Sequence, residues 1–207
     1  MDTPIFDFIQ KYSKSGVLRM HMPGHKGVGL LGVENFDITE VDGADSLYHA
    51  DGIIQKSEKN ASQLFGSDTY YSTEGASLCI RVMVYLLTDY AVKNAKKPLI
   101  YAGRNAHKSF INACAMSGTS VEWLYGENDG YLGCNLSAEQ VDLKLSNADA
   151  LPVAVYLTSP DYLGNTVDVE KIAKVCKKHG VLLAVDNAHG GYLKFLEKSL
   201  DFLKKND

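Results

Sequence analysis

Val181-Leu-Leu-Ala-Val-Asp186-Asn-Ala-His189-Gly-Gly191 is the stretch on which the fold turns. Leu182 to Val185 are apolar without alternating with polar residues. That is the pattern of a central strand covered on both faces, and such strands belong to parallel sheets sandwiched between helices. An aspartate follows the strand at once. A carboxylate delivered to the carboxyl edge of a buried strand is costly unless it meets a cation or caps a turn.

Working backwards, three more runs read as strands: Pro98 to Tyr101, Val121 to Tyr125 and Val153 to Thr158. Helical patterns separate them. Ser77 to Ala91 is apolar around most of its circumference, and Asp168 to His179 carries Val169, Ile172, Val175 and Cys176 on one stripe. Asp168 can cap that helix, Gly180 can end it, and Ser137-Ala-Glu-Gln140 is a capping-box start for a shorter one. Strands alternating with helices from about residue 70 onward predict an α/β fold, a three-layer, mainly parallel sheet with helices on both faces. Before residue 70 the chain reads as glycine-rich and irregular, apart from a helix over about Ile53 to Phe65 closed by Gly66.

The totals agree with a globular chain. Of 207 residues 45% are apolar and 22% charged, enough to bury a core in one large α/β domain or part of one. A net charge of −4 with the signs interspersed leaves no footprint for nucleic acid. No apolar run approaches a membrane span, and acidic Asp2 stands where a signal peptide carries basic residues, so a cytoplasmic protein with no membrane partner is expected. Cys79, Cys114, Cys134 and Cys176 are too scattered for a zinc knuckle or a disulfide framework. They read as reduced and mostly buried.

Two motifs are decoys. Gly27-Val-Gly29-Leu-Leu-Gly32 matches the dinucleotide pattern, but Pro23-Gly24 precedes it and no helical stripe follows, so neither the strand nor the helix that the pattern requires is there. His21 and His25 have a metal-binding helical spacing, yet Pro23 and Gly24 between them oppose a helix. No metal is expected.

Three motifs carry chemistry. Ser72-Thr-Glu-Gly75-Ala76-Ser77 lies directly before the buried helix, where backbone N–H groups, the helix dipole and hydroxyls form either a phosphate cradle or an ordinary N-cap loop. Arg104-Asn-Ala-His107-Lys-Ser109 follows a strand at the end where open α/β sheets bind ligands; His107 there either stacks on an aromatic ring or starts a surface helix. Asp186 either meets a cation, such as the protonated nitrogen of a bound pyridine, or caps a turn.

Read together, these segments resemble the pyridoxal-phosphate enzymes of the aspartate-aminotransferase fold type, and more closely the major domain of the ornithine/lysine/arginine decarboxylase family. The resemblance runs from about Pro4 to Phe195. It is carried by His21-Met-Pro-Gly-His-Lys-Gly27, Asp37-Ile-Thr-Glu40, Asp45-Ser-Leu-Tyr-His-Ala-Asp-Gly52, Phe65-Gly66, Glu74-Gly-Ala-Ser77, Arg104 to Ser109, Thr158-Ser-Pro-Asp-Tyr162 and Asp186-Asn-Ala-His189.

The resemblance implies pyridoxal 5'-phosphate as cofactor, a basic amino acid (lysine, ornithine or arginine) as substrate, and a homodimer or higher homo-oligomer. It implies that Gly75, Ala76 and Ser77 bind the phosphate, with a weaker hold because relatives carry a hydroxyl residue at the place of Ala76. Ser159 joins this cofactor set. His107 is similar to the histidine that stacks on the pyridine ring, Asp186 to the aspartate that pairs with its nitrogen, and His189 to the residue near the cofactor hydroxyl and the substrate. His107, Asp186 and His189 are therefore the expected catalytic set. Residues 1–52 are expected to form an irregular segment serving the active site and dimer interface, and 53–207 a partial cofactor domain.

The family's Schiff-base lysine lies in a Ser-x-His-Lys motif later than Asp207, so the chain is expected to be truncated before it. His107-Lys108-Ser109 only imitates that motif, too early and on another strand. Leu193, Leu196, Leu200 and Leu203 fall at helical spacing where relatives continue to a further strand. A noncatalytic fragment, or another reaction on the same fold such as transamination, are the rival readings.

Overall fold

A computed structural model describes residues 1–127 and 132–196. The chain divides into two compact units, Met1–Thr73 and Glu74–Asp207.

In the second unit four strands, β1 (Leu99–Gly103), β2 (Ser120–Leu124), β3 (Ala154–Thr158) and β4 (Leu182–Asp186), form one sheet in the order β2-β1-β3-β4. All three pairings are parallel, and the last sets Thr158 opposite Asp186. Residues that pair across a parallel sheet point to the same face, and residues two apart along a strand do so as well.

The helices cover both faces, as the sequence predicts. Helices α3 (Gly75–Lys93) and α4 (Lys108–Ser117) pack on one face, where Ile80, Val84, Leu87 and Phe110 meet Ile100, Ala102, Tyr156 and Ala184. Helices α5 (Ala138–Ser146) and α6 (Val169–Lys178) pack on the other, where Val141, Leu145 and Ile172 meet Tyr101, Val155 and Leu157. Alternate residues of β1 and β3 thus serve opposite cores. The side chains of Val84, Ile100, Phe110, Val155 and Ile172 are fully buried, and each contributes about 1.5–3 kcal/mol of transfer free energy.

The predicted caps are present. Ser137 and Gln140 close a reciprocal capping box on α5, and Asp168 accepts from the N–H of Lys171 at the start of α6. Of the cysteines, Cys114, Cys134 and Cys176 are buried and Cys79 is exposed. Burial pushes the Cys114 and Cys176 thiols up to about 11, so they behave as small apolar side chains.

Three expectations need correction. Leu182 to Val185 reads as a central strand covered on both faces, yet among the described residues β4 pairs with β3 alone and stands at the edge of the sheet, with Leu182 exposed; an apolar run does not by itself give a strand's place in the order. The sequence shows no run approaching a membrane span, yet α3 is long and apolar enough to cross one by length and composition. Ile80, Val84, Leu87 and Ala91 lie against the sheet, while Val82, Tyr85, Leu86 and Val92 are exposed, so apolar residues on both sides of the helix carry it past that test. The region before residue 70 also carries a helix that the reading missed, α1 (Pro4–Ser13), beside the expected α2 (Ile53–Phe65). Pro4 sits at the first helical position, where its missing N–H costs nothing, and Ile5, Phe8, Ile9 and Tyr12 recur at helical spacing.

Within that first unit the chain turns through Pro23 and Gly24, and the Gly27 to Gly32 stretch has no strand before it and only a short 3-10 turn, Glu34–Phe36, after it. His21 pairs with the Tyr12 hydroxyl and His25 with Asp37, so the two imidazoles face different partners. The helical spacing expected of Leu200 and Leu203 lies outside the described residues.

Candidate active site

The strand order places a switch point between β1 and β3. From β1 the chain crosses by α4 to β2 on one side, and from β3 it crosses by α6 to β4 on the other. Ligands of open α/β sheets bind outside the carboxyl ends of the strands at such a point.

A cavity of about 200 Å³ lies there, lined by Ala76, Ser77, Ile80, His107, Thr158, Tyr162, Asp186, Ala188 and His189. Five residues singled out in the sequence therefore meet in one hollow: Ala76 and Ser77 from the start of α3, His107 from the start of α4, and Asp186 and His189 from the end of β4.

Each arrives there for a local reason. Gly75 opens α3 with φ +66, a left-handed value that favours glycine, and the N-cap residue Glu74 makes no side-chain cap hydrogen bond. His107 is itself the N-cap of α4, its Nδ1 accepting from the N–H of Ser109 at 3.2 Å. His107 thus caps the helix and lines the cavity at once.

Asp186 is buried, and its two oxygens are held separately. Oδ2 accepts from the Tyr156 hydroxyl at 3.2 Å and Oδ1 from the N–H of Ala188 at 3.2 Å. Among the described residues no cation forms an ion pair with it. Burial first, and then the neighbouring Asp186 carboxylate, push the Tyr156 hydroxyl far above its usual range, so Tyr156 remains a donor. Behind Asp186 the chain turns tightly: a Cβ at Gly190 would come within 2.5 Å of Pro160 Cδ, so only glycine fits. His189 is exposed at the rim, its ring 5.3 Å from that of Tyr162.

Two predicted residues stand apart. Gly75 shapes the loop without lining the cavity. Ser159 turns its hydroxyl to accept from the N–H of Val167 at 3.3 Å, while its N–H donates to the Asp186 carbonyl at 3.0 Å. Thr158, one residue earlier, lines the cavity instead. Its Oγ1 is buried and, among the described residues, has no hydrogen-bond partner. Strand alternation was the signal that could have found it, because Thr158 is two residues from Tyr156 and pairs with Asp186. Lys108 lines a neighbouring hollow with Arg104, Asn105 and Leu132, and not the cavity that holds Asp186.

A parallel α/β sheet with helices on both faces, and a cavity at the carboxyl ends of its strands where a buried carboxylate meets a helix start, defines the class of fold. Residues 3–205 match the family described as Orn/Lys/Arg decarboxylase, major domain, and the chain belongs to that family. It is 30% identical over 210 residues to an arginine decarboxylase of Halalkalibacterium halodurans, covering 94% of this chain and 41% of that protein. An arginine decarboxylase of Bacillus subtilis is 28% identical over 208 residues, with the same 94% and 41% coverage. The chain thus spans about two fifths of the length of these relatives. The crystal structure of mouse CSAD in apo form superposes with a TM-score of 0.54 at 20% identity, over 67% of this chain and 32% of that one, a likeness of fold.

Proposed function

We propose that the protein decarboxylates a basic amino acid, arginine foremost, with pyridoxal 5'-phosphate as its cofactor. The observation that carries this is the cavity in which Ser77, His107, Thr158 and Asp186 converge. Its donor set fits that group. A phosphate dianion suits the α3 start with the Ser77 hydroxyl, a pyridinium N–H suits a buried carboxylate that has no cation among the described residues, and the orphaned Thr158 Oγ1 supplies a further polar contact. Arginine comes first because the relatives named above are arginine decarboxylases.

When bound, the cofactor supplies a protonated ring that takes up the electron pair left by departing carbon dioxide. The chain's own residues would hold it. The Asp186 carboxylate, kept in place by Tyr156 and Ala188, would keep the ring nitrogen protonated; His107 would fix the ring plane; Ser77 and the first-turn amides of α3 would anchor the phosphate away from the chemistry. Ala76 offers no hydroxyl, so its part is limited to its N–H.

One observation favours a second reading, reversible cofactor binding without turnover: among the described residues no lysine lines the cavity. The test is release of labelled carbon dioxide from carboxyl-labelled arginine, lysine and ornithine, with the cofactor present. Release from a basic amino acid but not from acidic or aromatic ones supports the first reading. Saturable cofactor binding that reverses on dilution, with no release, supports the second.

For assembly we propose a homodimer. Val82, Tyr85, Leu86, Val92 and Met116 on α3 and α4 are exposed apolar residues, several of them around a groove of about 480 Å³. A sedimentation measurement that finds a fully active monomer would count against it.

A further inference from the structure

Three polar side chains run in a line from α4 to the cavity. The Ser109 hydroxyl lies 2.9 Å from His107 Nδ1 and 2.8 Å from the Ser77 hydroxyl. Ser109 is buried and does not line the cavity, whereas Ser77 and His107 both do. We propose that Ser109 is a positioning residue whose single proton decides whether Ser77 donates or accepts at the cavity, and that the His107 ring senses which.

The N–H of Ser109 donates to His107 Nδ1, and a backbone N–H can only donate, so Nδ1 presents a lone pair and the neutral ring carries its proton on Nε2. The Ser109 hydroxyl then has one proton and two acceptors in reach, Nδ1 and Ser77 Oγ. If it donates to Nδ1, the Ser77–Ser109 contact is a hydrogen bond only when Ser77 supplies the proton. Ser77 then turns lone pairs toward the cavity. If Ser109 donates to Ser77, the Ser77 proton is released to the cavity, where an anion can accept it.

An anion at the α3 start and His107 Nδ1 therefore compete for the Ser109 proton. A hydrogen bond to an ionised oxygen is about twice as strong as one between neutral groups, so the anion wins. Nδ1 is then left with its backbone bond alone. Ser109 thereby links the anchoring of the phosphate end to the imidazole assigned to the ring face. The proposal rests on the phosphate reading of Ser77 given above.

The experiment is a titration of the 207-residue chain, with ¹⁵N-labelled histidine, by inorganic phosphate at about pH 8.5, above the ordinary histidine range. Binding is followed by ³¹P and the ring by the His107 nitrogens. The expected result is a ring protonated on Nε2, with an Nδ1 resonance that moves toward weaker hydrogen bonding in step with phosphate occupancy. In Ser109→Ala, Nδ1 starts near that end point and ceases to respond, and phosphate affinity falls severalfold because Ser77 loses the donor that polarises it. Ser109→Thr, which keeps the hydroxyl, restores both. Amide dispersion checks that each variant is folded, and the wild-type titration decides the matter even if Ser109→Ala is not.

A ring protonated on Nδ1, or an Nδ1 resonance that stays still while phosphate saturates a site abolished by Ser77→Ala, overturns the relay and leaves the phosphate reading intact. Absence of any phosphate binding by the wild-type chain overturns both.

Discussion

The Tyr156 hydroxyl donates to Asp186 Oδ2 at 3.2 Å from the neighbouring strand, joining the most buried aromatic of the sheet to the carboxylate of the cavity. Tyr156 is itself fixed by Phe110 of α4, whose ring stacks on it at 4.0 Å. Core packing thus sets the direction in which Asp186 points. Tyr156→Phe keeps the stack and removes the hydrogen bond. Loss of about 2 kcal/mol of stability in urea denaturation is expected, because a buried carboxylate loses one of its two donors. A loss below a few tenths of a kcal/mol would show that the bond does not hold Asp186.

Thr158 gives the converse case. Its hydroxyl has no partner to lose among the described residues, so Thr158→Val, nearly the same in shape, should leave stability unchanged or slightly raised. Cofactor affinity, measured by quenching of intrinsic fluorescence, should fall severalfold. Unchanged affinity would remove Thr158 from the site.

How far the sequence carried these conclusions follows from the range of each signal. The four strands, their parallel arrangement and the helices on both faces rest on local patterns, and each appears within a residue or two of its expected place. Asp186, His107 and Ser77 were legible because a strand end or helix start puts each at the carboxyl edge of the sheet. The Thr158 to Tyr162 motif points to the neighbourhood of Ser159, while strand alternation gives the side and so Thr158. The Ser77–Ser109 contact, 32 residues apart, has no signature in spacing at all. Helix α1 is masked in the sequence by the glycines that follow it, which give the whole stretch an irregular look.

Asp45 shows another contact of long range. It has φ +69, and its carboxylate accepts from the N–H groups of Ser46, Asp51, Gly52, Ile54 and Gln55, capping α2 where the N-cap residue Gly52 has no side chain to do so. Desolvation opposes its charge, but the backbone donors outweigh that and hold the carboxyl well below its usual range. Because the folded pKa is lowered, the cap is at full strength above about pH 4, the unfolded value, and is lost as pH falls through the folded one. Asp45→Ala should abolish amide-exchange protection at residues 53–56 at neutral pH. Asp45→Asn should weaken it and make what remains insensitive to acid.

Asp161 and Asp186 are both buried, and their surroundings give them different roles. Asp161 accepts from the N–H groups of Leu163 and Asn165 and from the Asn165 side-chain amide, and it does not line the cavity. Burial works against its charge, and these donors still lower its pKa, so its contribution is present at neutral pH and fades as pH falls through that lowered value. Asp161→Asn should therefore cost stability, by about 1–3 kcal/mol for one mismatched donor, with cofactor affinity per folded molecule unchanged. Asp186→Asn faces the Tyr156 hydroxyl and the Ala188 N–H with one acceptor and one donor, so it too leaves a mismatch of that size. Beyond that, it removes the negative charge assigned to the ring nitrogen. Turnover should fall about a thousandfold, the scale of several kcal/mol lost at a desolvated charged partner. Denaturation curves and cofactor titrations on both variants separate the two effects. Equal, mild losses in both variants would mean that Asp186, like Asp161, only fixes a turn.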